Sequence, residues 1–210
     1  MIGIIDTGAK NIGSILNSLN YLKIPNRIIQ NQKDISKKIT HIILPGVGNF
    51  ESVMQYLKKN NFTNEKLLKI INEKKILAIC VGFQILFTSS DEAKFSGIGY
   101  FSGKIRDLKK TRCKGSIPHV GFNSVKISVN KELDFIKEKD FYFVHSYVLP
   151  IDSLKKYKDC IIGVTSHGKV KFISMIVSSN IIATQFHPEK SGASGIRLFK
   201  YFYGKKKSYI

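Results

Sequence analysis

Acidic residues, cysteines and long apolar runs are all scarce in this sequence of 210 residues, and each shortage excludes a class of protein. The three cysteines lack the number and spacing of a disulfide framework, which argues against a disulfide-stabilised secreted domain and favours a reducing cytoplasm. No apolar run approaches the roughly 18 residues that a membrane helix needs, and no segment resembles a signal peptide. We therefore expect a cytoplasmic protein that does not act at a membrane.

The shortage of acidic residues gives the chain a strongly positive charge. Fifteen aspartates and glutamates stand against 34 lysines and arginines, a formal net charge of +19 at pH 7. Nucleic-acid binding needs a continuous basic stripe, but most lysines occur as scattered pairs such as Lys37-Lys38 and Lys155-Lys156. We therefore expect no nucleic-acid partner. A docking face for an acidic protein or phosphorylated substrate, or the bias of an AT-rich genome, can account for the lysines.

Strand-like and helix-like apolar patterns alternate in the first half of the chain. Strands are predicted at 1–6, 26–30, 41–44 and 76–79. Apolar residues at helical spacing lie between most of these strands. Near-continuous apolar strands that alternate with helices indicate a parallel sheet covered on both faces, whose active sites lie at the carboxyl ends of the strands.

The second half of the chain is richer in strands. The predicted strands are 122–129, 141–144, 160–164 and 181–184, followed by a C-terminal helix. A hydrophobic content of 43% is ample for one core, and no linker or repeat divides the chain. We predict a single α/β domain over residues 1–204, with a central, mostly parallel sheet flanked by helices and a partly antiparallel second half. Residues 205–210, which include the lysine triplet 205–207, are predicted to form a basic tail.

Cys80 stands at the end of a predicted buried strand and directly before a predicted helix. A nucleophile at such a strand-to-helix turn has the geometry of a nucleophile elbow, and Ala78 and Gly82 supply the small neighbours that the turn needs. A helix N-terminus beside the sulfur favours the thiolate. The alternative is a core cysteine, since free cysteines are often buried. Cys113 and Cys160 have no comparable motif around them.

A base for this thiol is found near the end of the chain. His187 follows the predicted strand 181–184, and Glu189 lies two residues further on, so both side chains can project the same way. Pro188 favours an extended conformation at His187. A thiol, a histidine and a carboxylate form a triad in which the carboxylate orients the base. A histidine after an apolar strand can also be purely structural.

Two segments resemble those of class I, triad-type glutamine amidotransferases, namely Ala78-Ile79-Cys80-Val81-Gly82-Phe83-Gln84 and Gln185-Phe186-His187-Pro188-Glu189. Three more resemble the glutaminase subunits of imidazole glycerol phosphate synthases. They are Leu44-Pro45-Gly46-Val47-Gly48-Asn49-Phe50, Pro118-His119-Val120-Gly121-Phe122-Asn123 and Phe143-Val144-His145-Ser146-Tyr147. The resemblance extends from Met1 to about Tyr203. It departs from the usual pattern mainly at Phe122, where tryptophan is common, and in the segment 6–11.

The resemblance implies a role for each of these segments. Cys80 is the nucleophile, His187 the acid and base, and Glu189 the residue that orients His187. The oxyanion is bound by the backbone N–H groups of Val81 and Val47. Further residues are implied to bind glutamine: Gly46, Gly48, Gln84, Glu92, Ser146 and Tyr147. The partner interface is implied to include Pro118, His119, Gly121, Phe122 and Asn123.

The function implied by the resemblance is hydrolysis of glutamine to glutamate and ammonia, without a metal or a cofactor. The ammonia passes to a cyclase subunit, a (β/α)8 barrel bound as a heterodimer, which makes imidazole glycerol phosphate and aminoimidazole carboxamide ribotide in histidine biosynthesis. One alternative is a paralogous glutaminase that supplies ammonia for amidino-sugar biosynthesis with a cyclase-like partner. Another is a non-catalytic binding protein with the same fold.

Overall fold

A computed structural model of the chain describes residues 1–9, 11–127, 133–136 and 139–204. The predicted tail, 205–210, lies outside the described residues. Five helices are present: α1 (Ile12–Tyr21), α2 (Phe50–Lys59), α3 (Asn64–Glu73), α4 (Val81–Gln84) and α5 (Gly192–Tyr203). The first six strands are β1 (Ile2–Ile5), β2 (Asn26–Ile29), β3 (His41–Leu44), β4 (Lys75–Ile79), β5 (Phe87–Ser90) and β6 (Phe101–Asp107). The other six are β7 (His119–Ile127), β8 (Lys139–His145), β9 (Tyr147–Pro150), β10 (Ile161–His167), β11 (Val170–Val177) and β12 (Ile181–Thr184).

The strands form a mixed sheet whose main path runs β2-β1-β3-β4-β12-β11-β10-β7-β8. The five strands from β2 to β12 are parallel, and those from β11 to β8 are antiparallel to their neighbours. Three short strands lie off this path, with β9 pairing to both β11 and β6. This arrangement confirms the predicted α/β fold with a partly antiparallel second half.

The parallel strands are apolar because helices cover both faces of the sheet. Every residue of β1, β3 and β12 is buried. The chain moves along the sheet in one direction from β1 to β2 and in the opposite direction from β3 to β4, so right-handed crossovers are expected to place α1 on one face and α2 with α3 on the other. The side chains of Asn49 and Thr63 cap α2 and α3. Among the described helices, none is long and apolar enough to cross a membrane.

Some element boundaries differ from the predictions. The predicted strand 160–164 is observed as β10, which starts at Ile161 and continues to His167. The predicted strand 122–129 begins earlier, at His119, and its residues 128–129 lie outside the described residues. Strand β11 was not predicted. Its last six residues are all buried, and it pairs with β10, β12 and β9.

The fold brings together the carboxyl ends of three neighbouring strands. In the sheet, Leu44 of β3 pairs with Ala78 of β4, and Ile79 of β4 pairs with Thr184 of β12. The loop after β3, the turn after β4 and the segment after β12 therefore meet at one edge. These segments carry Gly46, Cys80 and His187, as the sequence analysis expects.

Candidate active site

Cys80 occupies a strained turn between β4 and α4. Its backbone has φ 53° and ψ −106°, a conformation that residues other than glycine rarely adopt. Such a conformation costs about 1–3 kcal/mol and persists only where the surroundings hold it. The Cys80 N–H donates to the Thr184 carbonyl at 2.7 Å, and a side chain at Gly82 would clash with the Leu44 carbonyl oxygen. The turn is therefore fixed by close packing against both neighbouring strands.

The helix that was predicted to follow Cys80 is present but short. Helix α4 is a single turn of four residues, and the chain then runs into β5. Because a macrodipole is the sum of aligned peptide dipoles, one turn supplies little of it. The surroundings of the sulfur therefore depend on individual groups. Its hydrogen-bond partners include the Val144 carbonyl at 3.9 Å and the Gln185 side-chain amide at 3.7 Å, and the side chain of His187 also interacts with it.

His187 and Glu189 form a buried pair. The histidine Nδ1 lies 2.8 Å from the glutamate Oε1, and both side chains are 0% exposed. The His187 Nε2 has no hydrogen-bond partner of normal geometry among the described residues. Burial disfavours the charged imidazolium, but the hydrogen bonds and electrostatic interactions of His187 with Cys80 and Glu189 outweigh it and raise the pKa of His187 to about 10. The arrangement is that of a histidine able to take and hold a proton from the thiol.

Asn11, which the sequence analysis assigned no role, holds the carboxylate of this pair. Its Nδ2 donates to the Glu189 Oε1 at 2.8 Å, so this oxygen contacts both His187 and Asn11. Asn11 is buried and precedes α1, which packs against the Pro188–Lys190 turn. The only sequence signal was the segment 6–11 that departs from the family pattern. The contact joins residues 178 positions apart.

A cavity of about 110 Å³ opens beside the thiol. Its lining includes seven predicted site residues: Val47, Gly48, Cys80, Val81, Gln84, Ser146 and Tyr147. Val144 and His145, to which no role was assigned, complete it. The loop after β3 and the segment after β8 thus face each other across Cys80. This volume is the place where a small substrate can meet the sulfur.

The loop after β3 obstructs one predicted oxyanion donor. The Val81 N–H donates to the Gly46 carbonyl at 3.3 Å, so this N–H is engaged within the protein. Gly48 has φ +106°, which a residue with a side chain adopts only with strain. Rotation of this glycine-rich loop would move the Gly46 carbonyl away from Val81. In the described conformation Val81 therefore lines the cavity, but its N–H is already bonded to the Gly46 carbonyl.

Two predicted glutamine-binding side chains already have partners in the protein. The Glu92 Oε2 accepts the Phe50 N–H at 2.7 Å, at the start of α2, and Glu92 is not among the residues that line the cavity. Burial is the main cause of its raised pKa. Gln84 lines the cavity, but its Nε2 donates to the Tyr147 carbonyl at 3.3 Å and to the Gln185 Oε1 at 3.0 Å.

The predicted partner residues lie in strand β7, except Pro118, which directly precedes it, and the two faces of this strand differ. Phe122 is 62% exposed and Val120 is 53% exposed, so one face presents two apolar side chains to solvent. His119 is buried and its ring stacks on His167, with 4.0 Å between the ring centroids. Asn123 donates to the His119 Nε2 at 3.2 Å. The exposed apolar surface of this segment therefore lies at Val120 and Phe122, whereas His119 faces the interior.

A thiol, a histidine and a carboxylate at one edge of a mixed α/β sheet define a class of protein, the cysteine hydrolases with a catalytic triad. The sequence matches the family described as glutamine amidotransferase class-I over residues 3–204, and the chain belongs to this family. A solved structure described as a glutamine amidotransferase shares the fold, with a TM-score of 0.72 at 13% sequence identity and 96% of each chain covered.

The most similar relatives include two archaeal proteins that the chain matches over almost their whole length. The imidazole glycerol phosphate synthase subunit HisH of Methanocaldococcus jannaschii is 41% identical, with 96% of this chain and 98% of that protein covered. The subunit HisH 2 of Methanococcus maripaludis is 38% identical, with the same coverage. The imidazole glycerol phosphate synthase hisHF of Schizosaccharomyces pombe is 38% identical over 96% of this chain, which spans 38% of that longer protein.

Proposed function

We propose that the protein is the glutaminase subunit of an imidazole glycerol phosphate synthase. The observation that carries the proposal is the buried His187–Glu189 pair, in which His187 interacts with Cys80, the cysteine that lines the small cavity. Membership of the class-I family and the similarity to HisH subunits support it. The reaction is hydrolysis of the glutamine side-chain amide to glutamate and ammonia.

The triad residues divide the reaction into two steps. The Cys80 thiol gives its proton to the His187 Nε2, and the thiolate attacks the carboxamide carbon. His187 then returns the proton to the departing nitrogen, which leaves as ammonia while a thioester forms. A water that His187 deprotonates attacks the thioester and releases glutamate and the free thiol. Glu189 keeps the Nδ1 proton of His187 in place and stabilises the imidazolium.

The oxyanion formed in both steps requires a change in the loop after β3. Each backbone donor of an oxyanion hole is worth about 3 kcal/mol in comparable sites. In the described conformation the Val81 N–H is held by the Gly46 carbonyl at 3.3 Å. We therefore propose that the Gly46–Val47 peptide rotates, which frees the Val81 N–H and turns the Val47 N–H toward the cavity. Docking of the partner favours the rotated state, so the isolated chain is a poor glutaminase.

The proposed partner is a cyclase subunit with a (β/α)8-barrel fold, bound as a heterodimer. It uses the ammonia to make imidazole glycerol phosphate and aminoimidazole carboxamide ribotide in histidine biosynthesis. The exposed Val120 and Phe122 supply an apolar patch for its interface. The relatives favour this acceptor over the amidino-sugar alternative, because they carry the name of the synthase. The fused hisHF protein supports the pairing of the two activities.

The remaining proposals concern boundaries and location. We propose that residues 1–204 form the amidotransferase domain and that 205–210 form a basic tail. A cytoplasmic location is proposed because all three cysteines, each in the described part of the chain, are free.

Reconstitution with a cyclase subunit tests the proposed function. The chain is mixed with the cyclase subunit that accompanies a close HisH relative and with its ribonucleotide substrate. Imidazole glycerol phosphate is then measured with glutamine or with an ammonium salt as the nitrogen source. The proposal predicts glutamine-dependent product only when both subunits are present. Glutamine hydrolysis without any product, in a complex that uses ammonium normally, would point to a different acceptor.

A further inference from the structure

Gln185 is a buried side chain in contact with the sulfur of Cys80. It follows β12 directly, is 0% exposed, and its Nε2 lies 3.7 Å from the Cys80 Sγ. A side-chain amide has one oxygen and one nitrogen, and only the nitrogen can donate to a thiolate. The effect of Gln185 on the sulfur therefore depends on which of the two atoms faces it.

The orientation of the Gln185 amide follows from a backbone carbonyl. The Tyr147 carbonyl oxygen is only an acceptor, so the Gln84 atom 3.3 Å from it must be the nitrogen. The same nitrogen lies 3.0 Å from the Gln185 amide, which must present its oxygen there. The Gln185 nitrogen is then directed at the Cys80 Sγ. The Tyr147 carbonyl thus fixes the orientation of the Gln84 amide, and the Gln84 amide fixes that of Gln185.

The Tyr147 carbonyl also accepts from a buried histidine, His145, which in turn contacts a second buried histidine, His119. The His145 Nδ1 lies 2.9 Å from it and must carry a proton, since a carbonyl cannot donate. Burial lowers the pKa values of His145 and His119 to about 3 and about 4, so both rings are neutral at pH 7. The His145 Nε2 therefore accepts from the His119 Nδ1 at 3.0 Å, and the His119 Nε2 accepts from Asn123 at 3.2 Å.

Two runs of hydrogen bonds thus meet at the Tyr147 carbonyl, which accepts from His145 on one side and from Gln84 on the other. We propose that Gln185 is a further catalytic residue, whose amide donates to the Cys80 thiolate and is held in that orientation by Gln84, which the Tyr147 carbonyl orients in turn. A charge-assisted hydrogen bond is stronger than a neutral one, so the amide favours the thiolate over the thiol. When the thiol proton passes to His187, Gln185 keeps both of its own protons. This inference rests on the proposed role of Cys80 as the nucleophile.

The test is the rate at which iodoacetamide alkylates Cys80, measured by peptide mass mapping in the full chain. Gln185→Met removes the donor at similar length. A hydrogen bond to a charged group is worth about 1.5–3 kcal/mol, so alkylation at pH 7 should fall about tenfold or more. The ratio of the wild-type rate to the variant rate should shrink as the pH is raised, because a donor gives no advantage to a sulfur that is already ionised. An unchanged rate at pH 7 would overturn the inference.

Two further variants guard against a folding defect and test the orientation of the Gln185 amide by Gln84. Gln185→Glu keeps the shape and the bond from Gln84 but places an oxygen against the sulfur, so alkylation at pH 7 should fall at least as far. Gln84→Met frees the Gln185 amide to turn, and an intermediate loss is expected. Wild-type rates in both would refute this orientation and the role of Gln185 as a donor.

A matched control separates the hydrogen bond from general disturbance of the strand. Ser174 is buried, and its carbonyl accepts the Gln185 N–H, but its side chain bonds only to Thr165 and Gly163. Ser174→Ala should therefore alkylate at the wild-type rate. His187, Glu189 and His145, the titratable groups around the sulfur, are unchanged in all variants. Loss of alkylation in the Ser174 variant as well would assign the effect to packing.

The outcome is distinguishable from failure of the proposed function. Alkylation needs neither glutamine nor a partner, so it reports on the thiolate alone. A Gln185→Met protein that alkylates normally, in a wild-type complex that hydrolyses glutamine, refutes only the role of Gln185. Slower alkylation of the variant, in a wild-type chain that never hydrolyses glutamine with any partner, refutes only the glutaminase.

Discussion

Replacement of Asn11 by alanine should slow glutamine hydrolysis without disturbing the fold. Asn11 donates to the Glu189 Oε1 at 2.8 Å inside the protein, and its side chain makes no capping bond to α1. A hydrogen bond to a buried charged group is worth about 2 kcal/mol. If that energy is needed to hold Glu189 against the imidazolium in the transition state, kcat falls about 30-fold. The KM for glutamine should change little, because Asn11 does not line the cavity.

The assay is glutamate release by the complex, with ammonium-dependent synthesis as the internal reference. Ammonium-dependent synthesis should be unchanged, since it bypasses the triad. Asn17→Ala, at an exposed position of α1, is the matched control and should keep the wild-type kcat. A urea titration reports whether the free energy of unfolding has changed. A stable Asn11→Ala protein with kcat within twofold of wild type would refute the positioning role.

Three further predictions concern the thiol, the partner face and acid stability. A chloroketone analogue of glutamine should label Cys80 and leave the other two cysteines unmodified, because only Cys80 lines the cavity; peptide mapping that finds the label elsewhere would contradict this. Phe122→Ala should weaken cyclase binding by about 2 kcal/mol, roughly 30-fold in Kd by calorimetry, if this exposed ring is an interface anchor; an unchanged Kd would remove Phe122 from the interface. His119 and His145 have pKa values lowered by burial to about 4 and about 3, so the unfolded chain binds more protons below pH 6.5. Stability should therefore fall as the pH drops from 7 to 5, by on the order of 2 kcal/mol for each histidine in urea titrations; a His119→Asn variant with the same pH dependence as wild type would contradict the assignment.

The fold was predictable because its central strands leave a simple pattern. Strands that are buried on both faces are short apolar runs, and the helices between them show regular apolar spacing, so β1, β3, β4 and β12 were found from the sequence. Strand β11 was missed although most of its residues are apolar, because Lys171 and Ser174 interrupt the run and leave neither strict alternation nor helical spacing.

The positions of the site residues at the ends of strands were predictable, whereas their contacts with one another were not. Cys80 and His187 were each expected after a strand, and the structure shows that these strands, β4 and β12, are neighbours in the sheet. The bond from Asn11 to Glu189 depends on how α1 packs against the Pro188–Lys190 turn, which no local pattern records. The hydrogen bond from the Val81 N–H to the Gly46 carbonyl depends on the conformation of the loop after β3, and its glycines allow this loop more than one conformation.

The most direct test of the account is the Cys80→Ala variant in complex with the cyclase subunit. Only Cys80 can form the thioester, and free ammonia bypasses that step. We expect the variant complex to lose glutamine-dependent synthesis and glutamate release but to keep ammonium-dependent synthesis at the wild-type rate. Glutamate release above the trace level by a purified Cys80→Ala complex would show that another residue is the nucleophile, and the assignment of the site would be wrong.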